Sequence, residues 1–276
     1  MRTNSRSAVT QPVLLRGESG GVVTLMLNRP AQFNALSKDL LVDLQAALDA
    51  IAMDASAWVV VIAGAGKAFC AGHDLKEMRA HPSKKFQQSL FELCSRVMMT
   101  LTDMPQPVIA RVHGFATAAG CQLVAMCDLA VASEDARFAV SGINVGLFCS
   151  TPSVGLARNV GRKQAMEMLL TDDFIDAQTA LERGLVNRVV PEHQLDAEVK
   201  NLIDAIEEPS GDQVRQADVL PAVGARAGER LRARERGDRL RHDDGGRAGG
   251  DRRLHREAGA GVVGVVASSD ERRFND

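Results

Sequence analysis

At 276 residues the chain is long enough for one large domain, or a domain with an appendage, around a sizeable core. Its 33 Lys and Arg against 35 Asp and Glu leave a formal charge of −2, so composition gives no general argument for nucleic acid or an anionic membrane as partner. No apolar run reaches the roughly 18 residues of a membrane-crossing helix, and five cysteines without C-x-x-C spacing fit reduced thiols rather than a disulfide framework.

Met1 to Gln11 carries Arg2 and Arg6 with Ser and Thr and no acid. It touches the composition of a transit peptide but is short and lacks an apolar face, so it reads as a flexible terminus over 1–11. The expected compartment is cytoplasmic, with the mitochondrial matrix as the alternative. Pro12–Arg16 and Val22–Leu27 read as strands around a glycine-rich turn over Gly17–Gly21. A helix begins at Ser37 or Lys38, because Leu40, Leu41, Leu44, Ala47, Leu48 and Ile51 recur at helical spacing. Trp58–Ala63 is short, β-branched and bounded by glycine, which predicts a buried strand.

The segment Gly66-Lys67-Ala68-Phe69-Cys70-Ala71-Gly72-His73-Asp74 then joins that strand to a helix opening at Leu75-Lys76-Glu77-Met78. Strand, small-residue turn and helix start together present free backbone N–H groups, which hold an anion. Two nucleotide motifs fail here. A P-loop requires a hydroxyl where Ala68 stands and glycine where Val61 stands, and a dinucleotide fingerprint requires glycine where Phe69 stands.

Further on, a helix is predicted over about Lys84–Leu101, with Phe86, Leu90, Leu93, Val97 and Leu101 inward and Met98 and Met99 as core filler. Pro107–Val112 is a strand, Ala118–Met126 a helix and Leu129–Ala132 a strand. Helical patterns follow at 153–160, 162–170 and 177–183, then a strand over Leu185–Val190 and a helix over about Glu192–Ile206. Cys121 and Cys127 have no histidine cluster nearby, so no metal is expected. Periodicity by itself gives an α/β chain.

Three segments are similar to signatures of the crotonase (enoyl-CoA hydratase/isomerase) superfamily. Leu27–Leu36 resembles L-N-R-P-x-x-x-N-A-L, Gly66–Glu77 resembles G-x-A-F-x-A-G-x-D-L/I-K-E, and His113–Leu123 resembles N-G-x-A-x-G-G-G-C-E-L. Order and spacing agree over about residues 12–205. His73-Asp74 with Asn144–Pro152 resembles one particular branch of that superfamily.

The resemblance implies a crotonase-like spiral of ββα units over 12–210, followed by a C-terminal helical region. It implies an acyl-CoA thioester as partner, coenzyme A entering as part of the substrate with no separate cofactor, and a homotrimer or a dimer of trimers. The backbone N–H groups of His73 and Ala119 would form an oxyanion hole, and Ala119, in a glycine's place, would need a backbone that tolerates Cβ. Ala71, His73, Asp74, Leu75, Lys76 and Ala119 would border the ligand, with Lys67, Lys76 and Arg29 as candidates for phosphate pairing. His113, in a structural asparagine's place, would be a satisfied supporting residue.

Two departures stand out. The family's two acid/base glutamates fall at Gln122 and Gly142, neither of which exchanges a proton. Ser141, Asn144, Cys149, Ser150 and the His73 imidazole, whose intrinsic pKa suits a base, are the substitutes within reach. Two function classes therefore stay open: an enzyme on acyl-CoA thioesters, and a CoA-thioester-binding protein without catalysis. Two tight packing turns are the blander account of the oxyanion segments.

From 211 to 276 the chain holds fourteen arginines and no lysine, among Gly, Ala and Asp. Balanced acids and scarce aromatics argue against a nucleic-acid tail. This aberrant region stands where the family's helices would close the acyl pocket, which is what a frameshift in GC-rich coding DNA, or a disordered tail, would give.

Overall fold

In the computed structural model the described residues are 11–206 without 141, 143–145, 147 and 172. The expectations for the first ten residues and for the tail from 211 lie outside them, as do Ser141 and Asn144. The chain opens with strands β1 (Leu14–Ser19) and β2 (Val22–Leu27), an antiparallel hairpin whose Ser19–Val22 pair closes over Gly20-Gly21. Both glycines have positive φ, 55° and 76°, as a two-residue hairpin loop matched to strand twist requires. The first strand thus runs through Gly17 and Glu18, which the sequence placed in the turn. Helix α1 (Lys38–Ala52) starts where Ser37 accepts from the Leu40 N–H and buries Leu40, Leu41, Leu44, Leu48 and Ile51.

Strand β3 (Val59–Gly64) is buried throughout and leads to β4 (Ala68–Cys70), α2 (Leu75–Ala80) and α3 (Lys84–Asp103). The inner face of α3 is Leu90, Cys94, Val97, Met98 and Leu101, while Met99 is exposed and fills no core. Next come β5 (Val108–Val112), β6 (Phe115–Thr117), α4 (Ala119–Met126), β7 (Leu129–Ser133) and β8 (Arg137–Ala139). The chain continues through α5 (Ser150–Asn159), α6 (Arg162–Thr171), β9 (Ile175–Asp176), α7 (Ala177–Glu182), β10 (Arg188–Val190) and α8 (Leu195–Ala205). The strand expected over 185–190 is only its last three residues; Leu185 and Val186 are buried in the turn before it.

Among the described residues two sheets result, ordered β1-β2-β3-β5-β7-β10 and β4-β6-β8-β9. Each unit places one strand in each sheet, β3 with β4, β5 with β6 and β7 with β8, so the chain winds as a spiral of ββα turns. In the large sheet, Val60, Ile62, Val108 and Ala110 pack with α1 and α3 in the main core. Val59, Val61, Ile109 and Val131 on the opposite face meet Leu195, Val199 and Leu202 of α8. Burial on both faces explains the continuous β-branched runs.

The small sheet sets the site. Strands β4, β6 and β8 are parallel, pairing Cys70 with Ala116 and Thr117 with Ala139. Their C-terminal ends therefore share one rim, where parallel α/β sheets hold ligands. The residues that leave this rim are Ala71–Asp74, Ala118–Ala119 and Val140.

Candidate active site

The first turn is fixed by a single-residue parallel bridge between Leu36 and His73. The Leu36 N–H donates to the Gly72 carbonyl at 2.7 Å, and the Asp74 N–H donates to the Leu36 carbonyl at 3.2 Å. In such a bridge the central residue's own N–H points to the opposite side. The His73 N–H is thereby turned away from Leu36. Gly72, at φ 87°, makes the corner possible. Both backbone groups of Ala71 are engaged, its N–H with the Phe33 carbonyl at 3.0 Å and its carbonyl with the Thr117 hydroxyl at 3.1 Å.

The second turn is the start of α4. All eight residues of this helix are buried, and no side chain caps it. Its first N–H groups have no partner inside the helix, and a buried helix end without a cap calls for another occupant. Ala119 is its first residue, with ordinary helical backbone, so the expected conformational demand does not fall there. It falls on Ala118, at φ 49° and ψ −119°, a region that costs a residue with Cβ about 1–3 kcal/mol. The Ala118 N–H donates to the Ala139 carbonyl at 2.9 Å, tying the corner to β8.

The two turns are in direct contact. A Cβ built on Gly72 would lie 2.9 Å from the Ala118 Cβ, 3.0 Å from the Thr117 carbonyl oxygen and 3.2 Å from the Ala119 nitrogen. A Cβ on Gly120 would strike the Cys70 carbonyl. Glycine at 72 and 120 lets the two turns pack this closely, and among the described residues neither the His73 nor the Ala119 N–H has a backbone partner.

Gln122 lies one helical turn beyond Ala119, on the same face of α4. It is buried, and its Oε1 has no hydrogen-bond partner. Gly142 is also buried, and its N–H donates to the Val140 carbonyl at 2.9 Å. It lies three residues beyond the last residue of β8.

The His73 imidazole packs edge-on against Phe91, ring centroids 5.0 Å apart, and its Nε2 is buried without a partner. Burial pushes its pKa down to about 4, so the ring is neutral and a weak base at pH 7. The intrinsic value that suited a general base is lost on folding. Burial likewise raises the Cys70, Cys94 and Cys121 thiols to about 12 and the Cys127 thiol well above its usual value. Cys149 is half-buried at the start of α5, and Ser150 beside it is exposed. His113 donates from Nε2 to the Gly66 carbonyl at 2.8 Å, but its Nδ1 is buried without a partner, so it is only half satisfied.

Arg29 is not available to a phosphate. Its Nη2 pairs with Asp74 Oδ2 at 2.8 Å, and its Nη1 donates to the Ala35 carbonyl. Burial alone would raise the Asp74 pKa. The hydrogen bond from Arg29, the Glu77 N–H, the Arg29 charge and the Lys76 N–H together hold it below the usual value. Asp74 is thus an anchor for Arg29 and the cap of α2. Lys67 and Lys76 have exposed side chains at the mouth of the turn, and Leu75 is 40% exposed. Among the described residues, no three His, Cys, Asp or Glu side chains group as metal ligands.

A family model described as enoyl-CoA hydratase/isomerase matches residues 17–235. The chain belongs to this family. Enoyl-CoA hydratase domain-containing protein 3, mitochondrial, of Xenopus laevis is 46% identical over 191 residues, 69% of this chain and 65% of that protein. The chain therefore spans a little under two thirds of that relative's length. A crystal structure of enoyl-CoA hydratase from Mycobacterium smegmatis is 60% identical, with a TM-score of 0.70 over 71% of this chain and 77% of that one. The human enoyl-CoA hydratase domain-containing protein 3 structure is 45% identical, with a TM-score of 0.69 over the same shares. These likenesses agree with the crotonase-type spiral and with the branch to which His73-Asp74 pointed.

Sequence reasoning missed several residues that support these turns. Asn34, at φ 56° and fully buried, gives its side-chain N–H groups to the Ala65 and Ala68 carbonyls at 2.8 and 2.7 Å and so holds the first turn's support in place. Thr117 ties the two turns together, and Phe91 covers the imidazole. The signal for Asn34 was present, since it is the asparagine of L-N-R-P-x-x-x-N-A-L. Phe91 gave none.

Proposed function

We propose that this chain binds acyl-CoA thioesters and stabilises an enolate on the thioester oxygen through the His73 and Ala119 N–H groups. When the α-carbon of a thioester loses a proton, the electron pair delocalises and charge gathers on that oxygen. Two N–H donors held in place beforehand stabilise the charge without reorganising, and one such donor is worth about 2.7–4 kcal/mol in acyl-transfer enzymes. The observation that carries the reading is the contact of the two turns at Gly72 and Ala118–Ala119, where neither the His73 nor the Ala119 N–H has a backbone partner among the described residues. Lys67 and Lys76 suit the CoA phosphates, while Ala71 and Leu75 border the ligand. Asp74 supports the site from behind.

Efficient hydration is not part of the proposal. Water addition needs a base and an acid, and Gln122 and Gly142 supply neither. A second reading, a binding protein without catalysis, draws on the same fact, because the buried Gln122 amide can orient a water or a ligand hydroxyl but cannot take its proton. A panel of acyl-CoAs tested for turnover, beside calorimetric binding, separates the two. Turnover with binding supports the first, binding alone supports the second, and neither would sink both.

The assembly we propose is a trimer or a pair of trimers, which would cover apolar side chains such as Phe148, Val154, Leu170 and Phe174, each more than half exposed. A stable monomer in sedimentation, with CoA binding intact, would contradict it. The Xenopus relative carries a mitochondrial name. For this chain we propose a reducing compartment, cytoplasm or mitochondrial matrix, in keeping with thiols that form no disulfide.

A further inference from the structure

Arg29 and Asp74 are joined across 45 residues of sequence, with side chains only 16% and 12% exposed. Neither touches the His73 N–H, but together they bracket the strand pair that aims it. The arginine fork reaches two chain segments at once. One arm takes the carbonyl of Ala35, next to Leu36 in the bridge, and the other takes the carboxylate of Asp74, next to His73. The second oxygen of that carboxylate accepts from the Lys76 and Glu77 N–H groups at 3.0 and 3.1 Å, carrying the tie into α2. The arginine itself is fixed at its base. Its N–H donates to Asn34 Oδ1 and its carbonyl accepts from the Asn34 N–H, both at 2.9 Å.

We infer that Arg29 is a positioning residue whose fork locks the register of the Leu36–His73 bridge and so fixes which N–H faces the thioester oxygen. The inference rests on the function proposed above. In extended pairing successive residues face opposite ways, so a slip of one residue would present the N–H of Gly72 or Asp74 in place of that of His73. The bridge itself has two backbone hydrogen bonds, and the Ala71 N–H on the Phe33 carbonyl is the next backbone tie between the same two segments. A charge-assisted fork bonded to both segments removes that freedom. Lysine, a point charge, cannot replace it because it cannot meet the carbonyl and the carboxylate in fixed geometry together.

The test uses Arg29→Lys in the full chain, with Asp74→Asn as a second variant should the first fail to fold. Hydrogen exchange is read at the Ala71 and Asp74 amides, which bond to the Phe33 and Leu36 carbonyls. They should exchange at least about tenfold faster in the variant, with β3 amides unchanged. Acetoacetyl-CoA, whose enolate has its own ultraviolet band, reads the aim of the donor. The bound enolate fraction at fixed pH should fall about tenfold or more, while affinity for CoA alone stays within about twofold.

A folded variant with parental exchange and parental enolate overturns the inference. So does an equal loss of CoA and acetoacetyl-CoA affinity, which would mean that Arg29 contacts the cofactor moiety directly. If the parent protein itself forms no enolate, the proposed function fails. Exchange at Ala71 and Asp74 then decides the register lock alone, and an unchanged rate overturns it.

Discussion

Gly120→Ala isolates the contact on which the site depends. Gly120 has no positive φ, so alanine there costs nothing in backbone strain and gains about 0.5–1 kcal/mol of helix propensity. Against this, the new Cβ would fall on the Cys70 carbonyl, 2.8 Å from its carbon and 2.9 Å from the Cys70 Cβ. Ordinary carbon contacts lie near 3.5–4.0 Å, so α4 and the end of β4 must part by about 1 Å. Cys70 is fully buried and its strand is paired with β6, so no flexible group can move aside. Overpacking of this kind costs about 1–3 kcal/mol. The net loss should be about 1–2 kcal/mol, read as a lower urea midpoint with unchanged slope.

The site should suffer more than the fold, because a misplacement near 1 Å costs about 10²-fold in rate or enolate stabilisation. Gly155→Ala in α5 is the control. Its Cβ would meet Met126 Sδ at 2.8 Å, the flexible part of a side chain, and should be neutral or slightly stabilising. A Gly120→Ala protein as stable as the parent, with the same enolate fraction, would refute the reasoning.

Gly72→Ala should destabilise through its positive φ and its contact with Ala118, and Ala118→Gly should stabilise by about 1 kcal/mol in unfolding measurements by relieving a strained backbone. Combined, the two should be less harmful than their sum, since Ala118→Gly removes the clashing Cβ; strict additivity in the double-mutant cycle would count against the contact. Between pH 7 and 5 the unfolded His73, with pKa near 6.5, gains a proton that the folded ring at about 4 refuses, so stability should fall by about 2 kcal/mol as pH drops. His73→Phe should flatten that part of the urea-derived pH profile relative to the parent. Gln122→Glu with Gly142→Glu should bring measurable crotonyl-CoA hydration, each acid/base group adding about 10²–10⁴-fold, with less from Gln122→Glu alone. A folded, CoA-binding double variant without hydration would place the defect in the donor turns.

Local chemistry was legible from the sequence. Ser37 before an apolar stripe, Asp74 before a short helix and two β-branched runs each specify their conformation within a few residues, and the structure has the corresponding cap, helix and strands. The two small-residue corners between strand and helix are also where the sequence places them, at Gly72 and before Ala119. The small sheet was harder. Strands of three residues, such as Ala68–Cys70 and Phe115–Thr117, show no periodicity and exist because neighbouring strands pair with them.

Side-chain fates depended most on tertiary structure. Arg29 reads as a candidate for phosphate pairing until Asp74, 45 residues on, folds against it. His73 reads as a base until Phe91 and its surroundings strip it of water. Residue type sets what a group can do, and the neighbours that decide whether it is charged, paired or exposed are supplied by segments far away in the chain.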